Sequence, residues 1–245
     1  MSNDAATINI SPKRTLIALL AISAVLVCFS IWGEYIKYFG VGDIRGPIHE
    51  FLIDLLMNSF YTDKEANIPT YFNTIILFIP TLQFAAAAAW KFSIKDKFKF
   101  QWLGLSLVFL YLSLDEASVL HEKLISPMRA LFNYEQFGGI LYFAWVIPGM
   151  AAVLLFMLAY LRFFLNLENK YKILFFISLV IYVSGIIGGE MISGHFAGTI
   201  GLKNFTYSTY TSIEESLEWI GCSLIIYSML EYFRQYLPNG LTIKS

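Results

Sequence analysis

The stretch YLSLDEASVLHE, residues 111–122, closes an apolar run that begins near Trp102 and then places Asp115, Glu116, His121 and Glu122 within eight residues. Charged side chains at the end of an apolar run long enough to cross a bilayer are costly and call for compensation. At about 100° per residue on a helix, Tyr111, Asp115, Ser118 and Glu122 fall within roughly 60° of one another, a polar stripe with His121 on its flank. Glu116 points away from that stripe, toward Lys123. Two later stretches carry related chemistry, GGEMISGH (188–195) and SIEESLEW (212–219).

Composition agrees with a membrane reading. The 245 residues are 57% hydrophobic, 17% aromatic and only 14% charged, against about a quarter charged in soluble domains. Mean hydropathy is +0.61. The net charge of −1 by itself says nothing about nucleic acid, and no nucleic-acid partner is expected; the two cysteines, Cys28 and Cys222, form neither a CxxC site nor an obvious disulfide framework.

Working outward, the hydropathy pattern predicts an all-α, polytopic integral membrane bundle forming one domain. Six transmembrane helices are expected at about 15–33, 71–90, 101–121, 139–161, 173–194 and 212–233. The first is read as a retained helix rather than a cleaved signal peptide, with Glu34 at its end. Residues 47–60, PIHEFLIDLLMNSF, have helical periodicity but are too short to span, so an interfacial helix is expected there, with His49, Glu50 and Asp54 on its polar side. MRALF (128–132) is a second short amphipathic piece. Pro80 and Pro148 are expected to kink their helices, and Ser184, Gly185, Gly188 and Gly189 to permit close helix packing. A Gly/Thr/Tyr loop is expected at 197–211, where Asn204 begins a glycosylation sequon.

Basic residues set the orientation. With the N-terminus inside and six crossings, the inner segments hold Lys13, Arg14, Lys91, Lys95, Lys97, Lys99, Arg162, Lys170, Lys172, Arg234 and Lys244, eleven of the 17 basic residues. The same segments hold only Asp4, Asp96, Glu168 and Glu231 of the 18 acidic ones. The expectation is N-in, C-in.

That topology puts Glu34, the DEASVLHE stretch, Glu190, His195, Glu214, Glu215 and Glu218 at one depth on the outer side, together with all three histidines. Close carboxylates at low dielectric need protons, basic partners or a metal, and the outer basic residues (Lys37, Arg45, Lys64, Lys123, Arg129 and Lys203) are few. A divalent cation answers the imbalance; carboxylate with imidazole suits zinc, iron or manganese. The candidate metal ligands are Asp115, His121, Glu190, His195, Glu214 and Glu218, and the candidate catalytic groups are Glu122 and Ser118. The paired Glu-x-x-His pattern of di-iron bundles is absent, since Glu116 to His121 and Glu190 to His195 are each five apart.

The functional expectation is a metal-dependent membrane enzyme, a hydrolase or oxidoreductase, acting at the outer interface on a lipid or lipid-linked substrate. Two alternatives stand beside it: a proton- or cation-coupled transporter using the same carboxylates, and a non-enzymatic membrane scaffold. The expected surroundings are the lipid bilayer of a bacterial inner membrane.

Overall fold

A computed structural model describes residues 10–40, 46–132 and 139–237. The polar segment 1–9, Gly42, Arg45 and Lys244 lie outside the described residues. All regular structure among the described residues is helical. The helices are α1 (Pro12–Phe39), α2 (Pro47–Phe60), α3 (Ile68–Ser93), α4 (Lys99–Ser118), α5 (Ile125–Phe132), α6 (Val146–Leu165), α7 (Asn169–Val183), α8 (Glu190–Ile200) and α9 (Phe205–Tyr236).

Four segments are long and apolar enough to cross a membrane: α1, α3, α6 and the continuous rod Asn169–Ile200. A fifth candidate is α4 with the segment Glu122–Phe132, bent by 76° at their junction. The sixth expected span, α9, is 32 residues long but is not among the segments that qualify by apolarity. The reason is its position. It packs against α1, α3, α7 and α8, so its surface faces protein nearly all round, and it can bury Ser, Thr and Glu side chains that a lipid-facing helix would not carry. By contrast α6 buries only Val146 and Phe163.

The core lies between α3, α4, α7 and α9, where Phe84, Trp102, Phe109, Tyr171, Trp219 and Tyr232 pack together. Hydroxyls tie α4 to α3: Ser106 donates to the Thr81 carbonyl and Ser113 to the Thr74 carbonyl, both at 2.9 Å. Pro80 lies inside α3 and has no N–H for the Ile76 carbonyl one turn back. The Cys222 thiol of α9 takes that carbonyl at 3.1 Å, so the proline makes a helix–helix contact. Asn67 and Asn204 cap α3 and α9 by accepting from the amides of Thr70 and Tyr207.

Several boundaries differ from the hydropathy pattern, each for a local reason. The α4 helix stops at Ser118 rather than at residue 121, because Val119 adopts φ +53°. Residues 139–145 form a short 3-10 turn and a wrap rather than helix, so α6 starts at Val146. Pro148 is therefore not a mid-helix kink. It stands in the first turn, where an N–H has no intrahelical partner in any case. The expected loop at 197–211 contracts to 201–204, since α8 runs on to Ile200 and α9 begins at Phe205. Gly194 does not end α8; it lets the helix lie against Tyr142 and Phe143. The helix expected at 47–60 is α2 with those bounds.

Candidate acidic cavity

The glycines of the α7–α8 rod bring it onto α9. An added Cβ at Gly185 would lie 2.9 Å from the Glu218 amide nitrogen, and one at Gly189 would lie 2.6 Å from Glu214 Cγ. Gly221 of α9 answers from the other side, 2.6 Å from the Tyr182 nitrogen. Of the four small residues expected to pack, Gly188 meets nothing within 4 Å and Ser184 is exposed. Between them the rod widens into a π-helical turn, Ser184–Gly189, a local insertion that is frequent at functional sites. It sets Glu190 beside Glu214.

Above this contact a cavity of about 380 Å³ opens at the end of the bundle where α4 ends and α9 begins. Its walls carry Asp63 and Glu65 from the α2–α3 connection, Asp115 and Glu116 from α4, Glu122, Glu190 from α8, and Glu214, Glu215 and Glu218 from α9. One imidazole, His121, joins these nine carboxylates, and no lysine or arginine is among the described lining residues. Two lysines of the flanking segments are engaged elsewhere: Lys37 pairs with buried Glu34 at 3.0 Å, and Lys123 donates to the Ser118 carbonyl rather than to Glu116.

The turn after α4 forms one wall of the cavity. Asp115 accepts from the His121 backbone amide at 2.8 Å and contacts the His121 Nδ1 at 2.9 Å. These bonds hold the chain where Val119 takes a left-handed conformation, which is costly for a β-branched residue. His121 thus reaches the cavity by folding back on Asp115, not by lying on a regular helix. The Trp145 ring lies 4.7 Å from the His121 ring, tilted by 56° to it, and donates its Nε1–H to Glu190 at 2.7 Å. Asp115, His121, Trp145 and Glu190 form one continuous contact.

Of the candidate ligands, Asp115, His121, Glu190, Glu214 and Glu218 line the cavity together, as does Glu122. His195 does not. It is exposed on α8, with its Nδ1 near Gly139. Ser118 is also exposed and outside the lining, because the helix ends there and the following turn carries the chain across the cavity instead. His49 stays on α2, so one layer of histidines does not become one site. Among the described residues, no three His, Cys, Asp or Glu side chains stand in an arrangement ready to hold a metal ion.

Sequence reasoning missed Asp63, Glu65 and Trp145 and turned Glu116 outward. For Asp63 and Glu65 the signal was present as outer-side acidity in a connection with few cations; for Trp145 no periodic signal exists, because its segment is not helical.

Two groups outside the helical spans give the cavity a pH signature. Burial raises the Asp63 carboxyl to about 7, while hydrogen bonds from Tyr61 and Tyr207 work to lower it and the charges of Glu190 and Glu122 to raise it. Burial alone would lower His121, but its hydrogen bond and charge pairing with Asp115 raise it above the ordinary imidazole value. The signs agree. A raised carboxyl means that the native state holds more protons between its ordinary pKa and about 7, so Asp63's contribution falls as pH rises through that window. The His121 contribution is complete below its unfolded value and is lost as pH rises through the folded one. Thermal unfolding should therefore show greater stability at pH 6 than at pH 8. A carboxylic-acid infrared band titrating near pH 7 should lose intensity in Asp63→Asn and move in part to higher pH in Tyr207→Phe. Asp115→Asn should lower the His121 midpoint in a histidine NMR titration; an unchanged midpoint would deny the pairing.

No curated protein and no solved structure shows significant similarity to the chain. A family model described as "Domain of unknown function (DUF8692)" matches residues 16–232, a span that takes in every cavity carboxylate and all of the helices but the ends of α1 and α9. The chain belongs to this DUF8692 family.

Proposed function

We propose that this is a multi-pass membrane protein, with six crossings and both termini inside, whose acidic cavity opens at the outer face and binds a divalent cation. The observation that carries this reading is the lining itself: nine carboxylates and one imidazole without a lysine or arginine among the described residues. Such a wall needs protons or cations to be stable at low dielectric. Mixed carboxylate and imidazole donors suit zinc, iron or manganese. Asp115, His121, Glu190, Glu214 and Glu218 are the donors in this reading, recruited by side-chain rotation when the ion enters.

In its fuller form the reading is a metal-dependent enzyme acting on a lipid or lipid-linked substrate in a bacterial inner membrane. A bound ion would activate water or polarise a substrate oxygen. Glu122, facing the same cavity, would take or give the proton. Metal analysis by plasma mass spectrometry on protein purified without chelator tests it. Near-stoichiometric zinc, iron or manganese supports the reading, and metal-free protein that fails to take up any of the three on dialysis overturns it.

A second reading, a proton- or cation-coupled path, is favoured by the absence of a ready three-donor arrangement among the described residues. Glu214 and Glu218, one turn apart on α9, would then pass the cation inward. Proton or cation flux in proteoliposomes, lost in Glu218→Gln, separates it from the enzyme reading.

A further inference from the structure

The cavity also has an apolar half. Leu112, Pro148, Ala152 and Val153 line it from α4 and α6. These two helices meet at their other ends, where the Tyr160 hydroxyl donates to the Gln101 carbonyl at 3.3 Å and the Trp102 and Phe163 rings stand 5.1 Å apart. At the cavity end both helices contribute to its wall. Tyr111 on α4 and Ala152 on α6 both line the cavity and are both exposed, so the opening lies on the flank of the bundle between them. Flanks of apolar spans face acyl chains, so a ligand entering there comes from the bilayer.

The acidic half restricts what head such a ligand can carry. One divalent ion offsets two of nine carboxylates, and the lining offers no lysine or arginine among the described residues to pair with a phosphate or carboxylate head. Glu214 is only 7% exposed and lines the cavity, and its Oε2 has no hydrogen-bond partner. A buried carboxylate oxygen without a partner costs free energy that a donor from a ligand would recover. Trp145 and Tyr182 add aromatic faces that attract a cation.

We propose that the cavity takes the amine head of a single-chain amphiphile, whose alkyl chain leaves through the cleft between α4 and α6 into the bilayer. The proposal rests on the cation-site reading of the same cavity and names the substrate chemistry. The ammonium group donates to the Glu214 Oε2 that has no partner and to Glu190, through carboxylate oxygens the divalent ion does not take, and the chain runs past Leu112 and Val153.

The test is binding of radiolabelled dodecylamine to the full chain in phosphatidylcholine nanodiscs, with empty discs subtracted. Saturable one-to-one binding is expected. Butylamine, which lacks the chain, and dodecanoate, which carries the opposite charge, should fail to compete. The double variant Glu190→Gln/Glu214→Gln should weaken binding at least tenfold through the head, and Ala152→Trp should do the same through the chain. Each variant is first checked for wild-type elution and unfolding. Competition by dodecanoate as strong as by dodecylamine, or equal binding in wild type and both variants, overturns the proposal. Metal content of the same discs keeps the two readings apart. Metal-loaded protein that ignores dodecylamine overturns the amphiphile alone, whereas dodecylamine binding in protein that takes no metal overturns the divalent ion alone.

Discussion

Gly221→Val will abolish the folded protein, while Gly188→Ala, in the same helical contact region, will leave it intact. A Cβ at Gly221 would sit 2.6 Å from the Tyr182 nitrogen and 2.7 Å from its Cα. Those are backbone atoms of a helix, so no rotamer change relieves the overlap. Overpacking a well-filled interior costs about 1–3 kcal/mol when side chains can adjust. Here the α7–α8 rod itself must move away from α9, and the expected cost is at or above about 3 kcal/mol, a large share of a domain's net stability. The displacement would also part Gly185 and Gly189 from Glu218 and Glu214 and so dismantle the cavity floor. At Gly188 an added Cβ meets nothing within 4 Å, and alanine favours helix over glycine by up to about 1 kcal/mol. Fluorescence-detected size exclusion and thermal unfolding in detergent check both. A monodisperse Gly221→Val with wild-type stability would mean that the rod and α9 do not pack as described.

Replacing Glu190 and Glu218 together by glutamine will give a protein that is no less stable without cation and that needs at least about tenfold more cation for the same response. The two effects have opposite physical origins. Burying a charged carboxylate costs free energy that a neutral amide of nearly the same volume avoids, so the cation-free variant should melt at or above the wild-type temperature. A cation that binds only the native state stabilises it by about 2.7 kcal/mol at a hundredfold excess over Kd. Removing two of nine wall carboxylates should weaken that binding at least about tenfold, or about 1.4 kcal/mol. The measurement is the melting shift produced by zinc, iron or manganese across a concentration series, beside metal content. A full cation response in the double variant would remove these two glutamates from the site. Lower stability without cation would mean that they serve packing, not binding.

These outcomes rest on different layers of information, and the residues show which. Hydropathy and periodicity were enough for the all-helical structure of the described residues and for the α2 bounds at 47–60, because each depends on short-range pattern: 3.6-residue periodicity and runs of apolar residues. The proximity of Asp115, Glu190 and Glu218 was legible only as a common depth, since depth follows from position along a span while adjacency depends on which helices touch.

Adjacency was decided by close contacts that no window of sequence contains. Gly185 and Gly189 admit the α9 backbone, and Gly221 admits that of Tyr182, whereas Gly188, equally small, faces open space. A left-handed Val119 ended α4 three residues early and turned His121 back onto Asp115, and the same departure left Ser118 exposed outside the cavity. The non-helical wrap at 139–145 brought Trp145 to Glu190. The sequence by itself determined which groups could meet, through their charge and their depth in an apolar chain. The tertiary structure alone decided which do, because local turns and the absence of a Cβ set the direction of each side chain, and those depend on partners far away along the chain.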